Sequence, residues 1–190
     1  MNRYRIMLIA AGFAVVVAFS GVSVRAAEHA APQFPKQVVL TKGQVERVVA
    51  TLGPAEALSK KYKTDDAADY HGGDIGTTIR QALTNSGALS EFNAIVGKQG
   101  FTGFDDWWPV AFSVMTAAQP EAFSDNDANM AEAVTTIQNN QKMTPQQKAQ
   151  ALARMKQSSA VMEQMRPLPQ NVTTVAPYAT EVKRLVQTDE

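Results

Sequence analysis

The richest run of reactive side chains is Asp65-Asp66-Ala67-Ala68-Asp69-Tyr70-His71-Gly72-Gly73-Asp74, which holds four carboxylates and one imidazole. Asp69, His71 and Asp74 could ligate a divalent cation, or a carboxylate and His71 could act as an acid/base pair. Zinc sites usually want two or more nitrogen or sulfur ligands. His71 has no second histidine nearby, since His29 lies far upstream. The competing reading is a polar surface loop whose last carboxylate, Asp74, caps the next helix. Gly72-Gly73-Asp74-Ile75-Gly76 could bring amides to an anion at a helix start, but it lacks a phosphate-loop lysine and follows no strand. With two histidines and no cysteine in the chain, few nucleophile–base pairs exist. The expectation is a protein without a catalytic centre or cofactor.

Three further groups invite a functional reading. Asp125-Asn126-Asp127-Ala128-Asn129 imitates the opening of a calcium loop, but position six is Met130 where glycine is needed and position twelve is Thr136 where glutamate is needed. Helix capping is the expected role. Met143, Met155, Met162 and Met165 could offer thioethers to Cu(I). Leu152 falls in register with them, which is how a buried face reads, and methionine is an adaptable packing residue. A Met-lined groove for apolar or unfolded clients is a third reading. Trp107 and Trp108 are adjacent, and neighbours on a helix diverge by about 100°. One is therefore expected in the core and the other partly exposed, which makes the pair a candidate partner contact; the competing reading has both at least half-buried beneath neighbouring helices.

These groups need elements to position them. Thr41-Lys42-Gly43-Gln44 and Thr144-Pro145-Gln146-Gln147 both fit the capping box, in which the threonine oxygen accepts the N3 amide and the glutamine reaches back. Val45, Val48, Val49 and Leu52 follow the first at helical spacing. Gly53-Pro54 predicts a stop and a restart. Ile75, Ile79, Ala82 and Leu83 form a second stripe, and Leu89, Phe92, Ile95 and Val96 a third. Phe104, Trp108, Phe112 and Met115 form a fourth, which Asp105 or Asp106 is expected to cap. Asp125 to Asp127 should cap a helix bearing Met130, Val134 and Ile137. Leu152, Met155, Ser159, Met162 and Met165 continue the next one to about Arg166. Asn171 should cap the last helix, with Pro177 kinking it near Thr173. No segment alternates with period two. The expected fold is all-α, a single-domain bundle of six to eight helices over residues 40–190.

The beginning of the chain reads as an export signal. Arg3 and Arg5 precede an apolar run from Ile6 to Phe19, and Val24-Arg25-Ala26 suits a signal peptidase cutting before Ala27. The apolar run is shorter than the roughly 20 residues that span a bilayer; a retained anchor is the competing reading. No second run of that length follows, so no membrane insertion is expected after cleavage. Residues 27–39, with Pro32 and Pro35, read as a flexible arm. The whole chain balances 18 Lys+Arg against 18 Asp+Glu. Cleavage removes three arginines and no acid, leaving the acids in excess, which argues against nucleic acid as a partner. With no cysteine there is no disulfide, so stability must come from packing.

Leu40-Thr41-Lys42-Gly43-Gln44 and Met143-Thr144-Pro145-Gln146-Gln147 resemble the repeated Leu-Thr-x-x-Gln motif of the Spy and CpxP group of periplasmic helical proteins. That resemblance covers two five-residue pieces. It implies an all-helical, non-catalytic periplasmic protein of the kind that includes a cradle-shaped, ATP-independent chaperone and an envelope-stress modulator. The segment from Gly100 to Met115 has no counterpart there; it and the helix after Asn171 look like uncharacterised secreted proteobacterial proteins. The functional expectation is a periplasmic or secreted, non-enzymatic binder or chaperone-like protein whose partner is a protein or unfolded client. A metal-binding protein using Asp69, His71 and Asp74, or a structural subunit of an envelope complex, are the alternatives.

Overall fold

The structure, a computed structural model, describes residues 33–62 and 73–186. The expected export signal at 1–26, the first part of the expected arm, and Asp65, Asp66, Asp69 and His71 lie outside the described residues. The chain is a single all-α domain. Its order is α1 (Lys42–Tyr62), α2 (Ile75–Asn85), α3 (Leu89–Gly97), α4 (Phe104–Ala117), α5 (Pro120–Asn139), α6 (Pro145–Met165), α7 (Pro169–Val175), a 3₁₀ turn (Ala176–Tyr178) and α8 (Ala179–Val186). No helix among the described residues is long and apolar enough to cross a membrane.

α4 is the axis of the bundle. Apart from Asp105, Asp106 and Pro109, every residue of this helix is buried. A helix apolar all round must be covered on all sides. α1, α3, α7 and α8 pack on α4, with α2 closing the remaining side. The expected stripes supply the contacts: Val45, Val48, Leu52 and Leu58 from α1, Leu83 from α2, Phe92 and Val96 from α3, and Val175, Val182 and Val186 from α7 and α8.

Several local expectations change. α1 runs unbroken through Gly53-Pro54. Pro54 and Ala50, whose carbonyl loses its amide partner, both lie on the solvent side, so water replaces the missing bond and the helix continues. Neither Asp105 nor Asp106 caps α4. Asn93 on α3 does so from outside, its Oδ1 accepting the Phe104 amide at 3.0 Å, while Asp106 accepts the Thr102 amide and Asp105 pairs with Arg80. Asp125 to Asp127 fall inside α5, which begins earlier at Pro120. Pro120 presets the first turn of a helix, so no later cap is needed. The interruption caused by Pro177 is the 3₁₀ turn at 176–178, beyond the expected site at Thr173. Both capping boxes form as the spacing predicts. Thr41 receives the Gln44 amide and Gln44 receives the Thr41 amide, and Thr144 and Gln147 do the same.

The largest departure is the arm. From Gln33 to Leu40 the chain is a strap laid over α4 and α7. Gln33 makes a parallel bridge with Asp74, its amide donating to Gly73 and its carbonyl receiving the Ile75 amide. Phe34 stacks on Phe112, centroids 5.5 Å apart. The Val38 amide donates to Ser113 Oγ at 3.0 Å. Asn171 does not cap its helix. Buried in α7, it receives the Leu40 amide on Oδ1 at 2.9 Å and donates Nδ2 to the Val38 carbonyl at 2.8 Å. Pro32 and Pro35 suggest a free arm, but a buried Asn that bonds two backbone groups seats the segment on the bundle.

α5 and α6 form an antiparallel hairpin, each helix packing chiefly on the other. At a rise of about 1.5 Å per residue the pair extends roughly 30 Å. Phe123 and Met165, at the base, are its only buried side chains. Beyond them Met130, Val134, Ile137, Leu152, Met155 and Met162 are half-buried in the seam.

Candidate functional site

The Trp pair is not a surface. Trp107 and Trp108 are 2% and 4% exposed, so the expected partner contact is corrected: both indoles belong to the core. They belong to an aromatic chain running from Phe92 through Phe104, Trp107 and Trp108 to Phe112 and Phe34, with centroids 5.1 to 6.4 Å apart. Divergence by 100° exposes one of two neighbours only when it falls on the side of the helix that meets water, and in that turn Asp105, Asp106 and Pro109 take that side while both indoles point away from it. Trp107 Nε1 donates to Thr51 Oγ1 at 2.8 Å, and Thr51 donates in turn to the Val48 carbonyl. Trp108 Nε1 is buried without a partner. It lies against Gly76, where an added Cβ would stand 2.6 Å away. Gly76 is therefore a close-approach glycine.

Of the metal set Asp69, His71 and Asp74, only Asp74 is among the described residues. Its carboxylate accepts the Thr77 amide at 2.5 Å and caps α2, the competing role read from sequence. Among the described residues no three His, Asp or Glu side chains converge as a cation site.

The buried polar side chains of the described residues are Thr51, Ser113, Thr116 and Asn171. All are neutral, and each bonds a structural partner. Groups with displaced proton affinities sit at exposed ion pairs. The Lys61 ammonium, with the Tyr62 hydroxyl, holds the Glu91 carboxyl below its usual range and is itself raised by Glu91. Lys183 on α8 does the same to Glu121 on α5. Hydrogen bonding to Glu46 pushes the Tyr178 phenol up. These pairs tie helices together and surround no cleft.

The hairpin is the part of the surface whose design the core does not explain. Its base is fixed by Arg166, whose Nη2 meets the Asp127 carboxylate at 2.9 Å and whose Nε donates to Glu163 at 2.8 Å. The Arg166 guanidinium also lies over the Phe123 ring, and Glu121 pairs with Lys183 beside it. Towards the tip, Lys148 Nζ donates to the Gln138 carbonyl and Asn140 receives the Lys142 amide in the turn. The arm thus presents two long helices joined by one thin apolar seam, with mostly polar outer faces. Met155, Met162 and Met165 keep the expected three-and-four spacing, but only Met155 stays clear of the main core; Met162 packs against that core and Met165 belongs to it. Comparison of the chain with protein-family models, with curated proteins and with solved structures finds no match.

Proposed function

We propose that this is a non-enzymatic, chaperone-like binding protein of the periplasm or the exterior, exported by its N-terminal signal, and that the α5–α6 hairpin is the element that engages protein partners or unfolded clients. One observation carries the reading: a roughly 30 Å helical hairpin packs chiefly on itself, with Met130 and Met155 only half-buried along its seam. Helices of this polarity gain most of their stability from packing, so a two-helix seam opens at low cost. Unbranched thioether side chains repack against varied apolar partners. The Arg3, Arg5 and Val24-Arg25-Ala26 pattern supports export. The Leu-Thr-x-x-Gln resemblance points the same way, although both pieces also serve as capping boxes of α1 and α6.

The test is suppression of aggregation of chemically reduced α-lactalbumin by the purified processed protein. Suppression is expected, and it should fall several-fold in Met155→Ser/Met162→Ser while the far-ultraviolet spectrum stays helical. Equal suppression by the variant, or none by the wild type, removes the hairpin from this role.

A further inference from the structure

The channel that holds the strap is a second, independent feature. Its floor is α4 and its wall α7. Three buried polar side chains along it spend hydrogen bonds on an extended segment: Ser113 on the Val38 amide, Thr116 on the Gln37 side chain at 3.0 Å, and Asn171 on both backbone groups between Val38 and Leu40. At the far end Phe112 offers a ring face to Phe34. The strap's exposure repeats every third residue. Gln33, Lys36 and Val39 face water, whereas Phe34, Gln37 and Leu40 turn inward. Period three with Pro35 inside, and no ladder partner after Gln33, is the pattern of a polyproline II segment. Aromatic-floored channels that read such segments at every third side chain are a recurring mode of peptide recognition.

The occupant fits imperfectly. Gln37 Oε1 is buried with no hydrogen-bond partner, although its Nε2 donates to Thr116 and to the Met165 carbonyl. Val39 is 62% exposed and is the one large hydrophobic left in water among the described residues. We propose that the α4–α7 channel is a peptide site whose resting occupant is the chain's own strap. Its external ligand is an extended threefold peptide with an aromatic, a side-chain amide and an aliphatic residue at every third position. The strap is the releasable cis competitor. A tethered competitor acts at millimolar effective concentration, so the intact chain takes such a peptide weakly and a loosened strap admits it.

The probe is a fluorescent octapeptide of sequence Gln-Phe-Pro-Lys-Gln-Val-Val-Leu, titrated by anisotropy against the full processed chain. Phe34→Ala/Gln37→Ala loosens the strap and leaves the channel intact. It should bind the octapeptide at least about ten-fold more tightly than wild type, with a scrambled octapeptide showing no such gain. A folded double variant that binds no better than wild type overturns the proposal. Amide exchange on the wild-type chain gives an arm that needs no variant. The Val38 and Leu40 amides should exchange at least about ten-fold faster than those of Phe112 to Met115, through local release of the strap. Exchange of both sets at one common rate overturns it equally. The double variant touches the hairpin only at its base, where Gln37 bonds the Met165 carbonyl, and neither arm reads client binding, so failure here and failure of the hairpin reading are separate results.

Discussion

The two adjacent tryptophans separate bonding from packing. Trp107 donates to Thr51, and Trp108 donates to nothing. Trp107→Phe therefore removes a buried bond along with ring volume and should cost about 2 kcal/mol. Trp108→Phe removes an unpaired donor and should cost clearly less, both read from urea midpoints. Gly76→Ala forces a methyl onto the Trp108 indole; it should lower stability by about 1–3 kcal/mol despite alanine's better helix propensity. Asn171→Ala strands the Leu40 amide and the Val38 carbonyl and should cost a similar amount. At this scale the sequence was partly legible. The caps at Thr41, Asp74 and Thr144 are local chemistry and stand where spacing puts them. Asn171 carried a signal that the capping reading passed over: it lies four residues before Val175 on the buried stripe, and a polar side chain there must meet a buried partner. That the partner would be the strap's backbone depends on contacts more than a hundred residues apart, which no local pattern encodes.

Elements were legible wherever period and cap agreed, as in α2 and α6. They were less so where proline chemistry depends on exposure, as at Pro54, or where two start signals compete, as at Pro120 and Asp125. The hairpin's attachment can be tested by pH. The Glu121 carboxyl is held below its usual range by Lys183, so it is more acidic folded than unfolded. The stability this gives is present above the usual carboxylate range and is lost as pH falls through the lowered value. Glu121→Gln should therefore lower the melting temperature slightly at pH 7, by the equivalent of about 0.5 kcal/mol for so exposed a pair. The difference from wild type should vanish near pH 3. A difference that persists at pH 3 would mean that the pair's charge plays no part.

For the whole molecule, the apolar rhythm and the absence of period-two alternation were enough to read a single all-α domain. What they could not show is that α5 and α6 leave the bundle. A three-and-four stripe looks the same whether it packs on one helix or on many, and here the stripe is narrow, the flanks are polar and the chief partner is the other helix of the hairpin. The Met-bearing stripe was thus visible, but its place on a projecting hairpin was not. The sequence leaves open whether the second Trp is exposed, because the burial of α4 is a property of the assembled helices. The central claim, that a stable bundle presents this arm to its partners, meets its most direct test in hydrogen–deuterium exchange of the processed chain with and without reduced α-lactalbumin. The account predicts strong protection of α1 and α4 in both states, weak protection of α5 and α6 alone, and added protection confined to residues 120–165 when the client is present. Equal protection of arm and bundle in the free protein, or added protection that leaves residues 120–165 unchanged, would contradict it.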